Sequence, residues 1–593
     1  MPHSMCRPRV LACAAFFLVA GRAGADPVSL TGSYSGYEEQ AIHDAAVELH
    51  TQPEPSPEGK TIERVEFVRR DPVDRHDPLP AAIDALHTTT RERVLRREIL
   101  VTEGAAYKQV LVDESARNLR LLPQLSLVLC VPMRGSRPDR VRLVVITKDV
   151  WSLYVDFDVE ATAGGLELLE LEPKETNVAG LRHTALGRFV LKPRSYSLGF
   201  SYEVPRLDGR WLDVLVDANV IINRDSGAPE GSYGGVTVTR PLHSAHTEWA
   251  WSAGASWTDL LARRYVNAAV STFTPSIPFA RPIPWEWRER TLVEQVKVTR
   301  SFGWDTKNDF TVGGSFSHAS YRVPPDASLD PLAMAQFERA AVPVGEDRVG
   351  PFVQWHGYSS DFLRVLDLDT LGLQEDDRLG HDLWLRVYPV LRAFGSTRDL
   401  LGVYAAAAYG VALGDGLARA SVESTVEVGP DSIPDASTRG AVGIVTPRLG
   451  VGRLVFTATA LNRWRNYLNV LSFLGGESLL RGYPSRYLAG KDLLAANLEY
   501  RSRPVKIASM QFGAAAFYDV GDAFDGFDHL HPKHSVGVGL RAVFPQIERA
   551  VLRFDVGFPI TAGPLPRDVA PVSFFVAFNQ AISLPAVGVG RGP

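Results

Sequence analysis

Across the last three-quarters of the chain, apolar residues fall at every second position. The alternating segments are about ten residues long and are separated by turn residues or polar loops. In Leu212 to Val220, the residues Leu212, Val214, Val216, Ala218 and Val220 point one way, and Asp213, Asp217 and Asn219 the other. Val536 to Phe544 sets Val538, Leu540 and Phe544 against Gly537, Gly539 and Arg541. Val551 to Phe558 sets Leu552, Phe554, Val556 and Phe558 against Arg553, Asp555 and Gly557. Upstream of Trp151 the pattern is different. Thr61 to Val68 alternates in strand fashion, and Thr90 to Leu100 reads as a helix with Val94, Leu95 and Ile99 on one face. Gly104 breaks that helix, and a second runs from about Lys108 to Leu122. Strands at Gln124 to Val131 and Arg140 to Thr147 follow, joined by a turn at Arg134 to Asp139. The order β-α-α-β-β predicts a small α+β unit over residues 60–148.

Alternation alone does not separate a soluble sandwich from a membrane barrel. All 11 tryptophans lie at Trp151 or later, as aromatic girdles at two membrane interfaces require. Glycine and alanine recur on the strand faces, which suits a barrel wall better than a packed sandwich core. No run of 18 apolar residues follows Ala25, and only closure satisfies a strand backbone in lipid. The expectation is a mainly β chain: an antiparallel transmembrane barrel over residues 149–582, with a tail at 583–593. About sixteen strands would take ~27 residues each with their connections. The last strand, Val572 to Ile582, runs toward the periplasm. Gln546 to Arg549 is then a periplasmic turn, and Gly476 to Lys491 and Gly521 to His534 lie on extracellular loops.

Composition narrows the class further. A net charge of -5 argues against a nucleic-acid partner, and 22% charged residues against bulk disorder. Arg7 and Arg9, the apolar run Val10 to Ala20 and Ala23-Gly-Ala25 form a secretory signal over residues 1–25. Cys13 sits near the start of that run, where a lipoprotein cysteine would follow it. Only Cys130 remains after cleavage, so no internal disulfide is available. Residues 26–59 form a polar lead ending in the Pro-rich Thr51 to Gly59, an extended spacer without a packed core, with room for a short helix around Glu38 to His50.

Two motifs carry a mechanism. Gly475-Gly-Glu-Ser-Leu-Leu-Arg-Gly-Tyr483 contains Leu480-Arg481-Gly482-Tyr483, and Phe517-Tyr-Asp-Val-Gly521 lies downstream. Together with the alternating barrel and the α+β unit before it, they resemble the outer-membrane-protein assembly superfamily of BamA and TamA type. The resemblance runs from about residue 60 to 582 and implies that residues 60–148 are one POTRA domain in the periplasm. It implies that the loop bearing Glu477, Arg481, Gly482 and Tyr483 folds back into the lumen and meets a strand bearing Phe517, Asp519 and Gly521. It also implies that first and last strands separate to template incoming ones. Asp519 can pair with Arg481 bidentately, and Asn497, Glu499 and Arg501 alternate onto the same face. The plainer reading is an exposed loop cation and an ordinary lumen carboxylate. Ile582 stands where the family has an aromatic residue, and eleven residues follow it.

The function so implied is non-enzymatic assistance, at the outer membrane, to insertion, assembly or translocation of proteins, with no cofactor. The implied partners are unfolded or partly folded outer-membrane or secreted proteins, membrane lipid, and periplasmic or lipoprotein accessory subunits. Clients would reach the POTRA unit by strand addition. Alternatives are a dedicated transporter for one exoprotein, of two-partner type, and a passive structural barrel. His529, His531 and His534 form H-x-H-x-x-H, and Asp519, Asp522, Asp525 and Asp528 are close together, but neither has the scaffold of a metal site. G-x-S-x-G, H-E-x-x-H, Walker and dinucleotide motifs are absent from the sequence.

Overall fold

The structure is a computed structural model, and it describes residues 34–73, 88–162, 164–207, 210–244, 247–477, 479–566 and 569–588. The signal reading at 1–25 lies outside them. Helix α1 (Gly36–Glu48) opens on a capping box in which Ser35 and Glu38 bond each other's backbone N–H. Strand β1 (Thr61–Arg70), helices α2 (Glu92–Arg96) and α3 (Gln109–Arg120), and strands β2 (Leu125–Arg134) and β3 (Arg140–Asp149) follow. The sheet order is β1-β3-β2, with β1 parallel and β2 antiparallel to β3. One sheet face packs Ile62, Val65, Val128, Leu143 and Val145 against Leu95, Val112 and Leu119 of the two helices. The other packs Leu127, Leu129, Val144 and Ile146 against Tyr37, Ile42 and Ala45 of α1. The lead therefore holds a docked helix. The expectation of a spacer without a core misjudged it, because the buried residues of α1 are few and their partners distant in sequence.

After Asp149 the chain forms a 20-stranded antiparallel barrel from β4 (Leu153–Thr162) to Ser573–Phe578, closed by pairing of last strand with first. Val505–Ile507 continues the strand Asp492–Ser502 past Pro504. Period-two alternation becomes inside and outside. On Lys533–Val543, Val536, Val538 and Leu540 are 39%, 58% and 65% exposed, while Ser535 and Arg541 are buried within. Phe200, Val220, Val236, Val296, Val312, Val353, Leu385, Leu401, Val422 and Phe554 extend the exposed apolar belt round the wall. Such a belt on a closed barrel is a lipid-facing surface, since pairing round the ring satisfies most of the wall backbone without an open sheet. Among the described residues no helix is long and apolar enough to cross a membrane.

The count of about sixteen strands is corrected to 20. Several connections on the side of the α+β unit are very short, as at Gly414–Asp415 between Leu400–Leu413 and Gly416–Val428. Acid-rich strands such as Gly165–Val178 carry too little apolar contrast to stand out in the sequence. The POTRA assignment is withdrawn as well. The described residues contain only four α-helices, and the sheet face of the α+β unit shares a core with barrel residues Val543 and Val551. Residues 34–149 thus form an N-terminal unit docked on the barrel. The barrel end it occupies is the near end, and the opposite end the far end.

Candidate functional site

The far-end connection between Gly452–Asn466 and Asp492–Ser502 does not stay outside. It carries two short strands, Ser472–Leu474 and Leu488–Gly490, and between them turns down into the lumen. Leu480, Arg481 and Tyr483 are 0%, 0% and 1% exposed, against the wall strands Asp492–Ser502, Met510–Phe524, Lys533–Val543 and Leu552–Ile560. Glycine makes the approach feasible at two points. Gly482 has φ +149°, and a Cβ there would stand 2.7 Å from the Ser535 Cβ. A Cβ on Gly557 would stand 2.2 Å from the Arg481 carbonyl oxygen.

The Arg481 guanidinium donates from Nε to Asp519 Oδ2 (2.9 Å), from Nη2 to Asp519 Oδ1 (2.9 Å) and from Nη1 to Glu499 Oε2 (2.6 Å). Its backbone N–H also donates to Asp519 Oδ2 (3.0 Å), so one carboxylate holds both side chain and main chain of the loop tip. The guanidinium lies 3.5 Å from the centroid of the Phe517 ring. Asn497 Nδ2 donates to Asp519 Oδ1 and to the Leu479 carbonyl, both at 2.9 Å, joining strand and loop a second time. The network continues through Arg501 Nε to Glu499 (2.8 Å), Arg541 Nη1 to Asp555 Oδ1 (2.6 Å) and Arg553 Nη1 to Asp555 Oδ2 (3.1 Å), with Arg553 also paired to Glu477.

Charge balance explains how this survives burial. Arg481, Arg501, Arg541 and Arg553 face Glu477, Glu499, Asp519 and Asp555, four cations to four anions. Arg481, Glu499, Asp519 and Asp555 have fully buried side chains. A buried ion is tolerated when it is paired and hydrogen-bonded, and the bidentate contact of Arg481 with Asp519 supplies both. The arrangement fixes one loop conformation against one patch of wall.

All ten residues singled out from the sequence fall in this patch or beside it. Gly521 lines the same face, and a Cβ there would stand 2.7 Å from Leu474 of the loop. Sequence reasoning missed Arg541, Arg553 and Asp555. The alternation had already placed them on the polar face of the next two strands, but only strand adjacency shows that this face meets Arg481. The histidine and aspartate groups do not converge. Among the described residues no three His, Cys, Asp or Glu side chains are placed to hold a metal. His534 instead meets the Tyr518 hydroxyl, and His529 the Asp525 carbonyl.

No family model and no curated protein matches this chain. Solved structures do. The crystal structure of BamA from Haemophilus ducreyi lacking POTRA domains 1–3 aligns at 12% identity over 88% of this chain and 85% of that one, with TM-score 0.33. CdiB from Escherichia coli aligns at 14% identity over 89% and 80%, with TM-score 0.40. BauA, the ferric preacinetobactin receptor from Acinetobacter baumannii, aligns at 8% over 74% and 82%, with TM-score 0.37. Likenesses this loose carry no functional argument.

Proposed function

We propose that this chain is an outer-membrane barrel that assists the assembly or translocation of other proteins, with its N-terminal unit in the periplasm. The observation that carries the reading is the buried seat of Arg481 on Asp519, which spends a far-end loop on filling the lumen. A loop folded inward narrows the lumen, which counts against a passive pore. The closing seam adds support: Ser573–Phe578 pairs with β4 through only four residue pairs, Ser573 to Val576 against Val159 to Thr162. The other wall ladders are longer, from six residue pairs between Asp347–Ser359 and Gly380–Val390 to the run from Arg288 to Phe302 between Glu286–Phe302 and Thr306–Arg322. The near-end half of β4, from Leu153 to Asp158, has no ladder partner on that side, so the wall opens there at least cost. Clients would be unfolded or partly folded outer-membrane or secreted proteins.

Quantitative proteomics of the outer membrane and the culture medium after depletion in the native host tests the reading. A broad fall in barrel proteins supports assembly. Loss of one exported protein moves the function to dedicated secretion, a reading the obstructed lumen also suits because translocation requires an opening step. No change in either compartment rejects both.

A further inference from the structure

The near mouth of the barrel is crossed by a hairpin that belongs to no wall strand. It joins Asp347–Ser359 to Gly380–Val390 and consists of Phe362–Leu366 paired with Gln374–Arg378. Leu363, Val365 and Leu368 are buried against Leu417, Val445 and Val455, inward-facing residues of three consecutive wall strands. Arg453 Nη2 donates to the Leu366 carbonyl (3.0 Å) and Arg501 Nη1 to the Leu368 carbonyl (2.7 Å). Thr370 reaches the Arg549 carbonyl (2.7 Å) on the turn after Lys533–Val543. The hairpin thus spans the lumen from one side of the wall to the other.

The segment after the last strand fills more of the same space. Gln580 accepts from Arg541 Nε (3.1 Å), and the Ile582 carbonyl accepts from Arg501 Nη2 (2.8 Å). The Ile582 side chain, 4% exposed, completes the apolar cluster of the hairpin. Leu584 and Pro585 lie over inward-facing Gly443, and Gly588 reaches the edge of a lumen cavity of about 480 Å³ lined by Tyr404, Glu423, Ser437 and Arg439. Hairpin and tail together stand between that cavity and the near mouth.

The outer side of the hairpin is held by the N-terminal unit. Arg120 of α3 pairs with Asp376 and donates to Gln374 Oε1 (2.7 Å), and Asp113 pairs with Arg364. Arg117 lies over the Phe362 ring at 4.3 Å. The Gln374 N–H donates to buried Glu38 of α1 (2.9 Å). Leu371 and Leu373 at the hairpin tip enter the core formed by α1 and the inner sheet face. Withdrawing the unit would strip the hairpin of this seat, exposing two leucines and several unpaired charges.

We propose that the hairpin 362–378 and the tail 579–588 form a removable plug, and that the N-terminal unit is the latch that keeps it closed. The plug requires only that the barrel sits in a membrane. It gives assembly and translocation alike a way for events at the N-terminal unit to open the lumen.

The test uses the full chain in lipid nanodiscs, native cysteines replaced by serine, with Ser437→Cys as a reporter for a bulky maleimide. Planar-bilayer conductance is read in parallel. Three variants are compared: the tail cut after Asn579 with residues 363–377 replaced by a Gly-Ser linker, the tail cut alone, and Arg120→Ala with Asp113→Ala. The double deletion should label at least tenfold faster and conduct more than the parent. The tail cut and the latch variant should fall between. A folded double deletion, shown by its heat-dependent gel shift, that labels and conducts like the parent overturns the plug. A latch variant indistinguishable from the parent overturns the latch. Should the deletion fail to fold, Ile582→Asp with Leu363→Asp carries the same readouts. Neither readout involves a client, so this result and the depletion result stand or fall separately.

Discussion

Replacing Arg481 by alanine removes three charge-assisted hydrogen bonds and a guanidinium stacked on Phe517, while the Asp519 carboxylate keeps the main-chain N–H at position 481 and the Asn497 amide. Glu499 keeps Arg501. Removing one partner of a buried pair costs ~3–5 kcal/mol, and these surviving donors set the cost at about 3 kcal/mol, the low end. At about 1.4 kcal/mol per tenfold, the population of undocked loop should rise ~100-fold. Asp519→Ala strands a buried arginine with Glu499 as its nearest strong partner and should cost more, toward 5 kcal/mol. Exchanging the charges, Arg481→Asp with Asp519→Arg, should restore little, because the new aspartate would face Glu499 and Asp555. The assay is hydrogen exchange of loop amides 479–485 in detergent micelles, which reports local opening directly. Both single variants should reach the membrane, and loop exchange there should be about two orders of magnitude faster in Arg481→Ala and between about three and four orders faster in Asp519→Ala. Exchange within twofold of the parent in both would show that the ionic seat does not hold the loop.

Gly557→Ala removes no charge but sets a methyl 2.2 Å from the Arg481 carbonyl oxygen, so the same exchange experiment should show faster opening, by an overpacking cost of ~1–3 kcal/mol. Ala161 and Phe574 face each other across the closing seam, and cysteines at both should form a disulfide that blocks client assembly until reductant is added; unaltered assembly with the bond formed would remove seam opening from the mechanism. Burial pushes the Glu38 carboxyl up to about 7, against the Arg120 and Arg549 guanidiniums and the backbone N–H groups of Ser35 and Gln374, which pull it down. A carboxyl raised on docking favours the docked state while protonated in both forms, and that advantage is lost as pH rises from the ordinary value of 4.5 through 7. Protease protection of α1 should accordingly weaken between pH 5 and 8 by about 3 kcal/mol, and Glu38→Gln, which keeps the acceptor for Gln374, should flatten the profile.

Several things could be read from the sequence because they depend on neighbours along the chain. Period-two alternation assigns each wall residue to one of two faces, so Val538 and Leu540 could be set against Gly539 and Arg541 before any tertiary contact was known. The order β-α-α-β-β follows from local apolar spacing in the same way, whereas the docking of Gly36–Glu48 on the sheet does not. The pairing of Arg481 with Asp519 was reached by family resemblance, and strand register makes it physical, since Asn497 faces Asp519 and Glu499 faces Phe517. The strand count depended on how few residues each connection uses, which polar strands of low contrast conceal; hence 20 rather than sixteen. Arg541, Arg553 and Asp555 joined the site only when three strands lay side by side. Arg120 meeting Asp376, or Ile582 meeting Leu363, joins segments hundreds of residues apart. No periodicity carries such contacts, because they arise from closure of the barrel, which sets distant segments within one lumen.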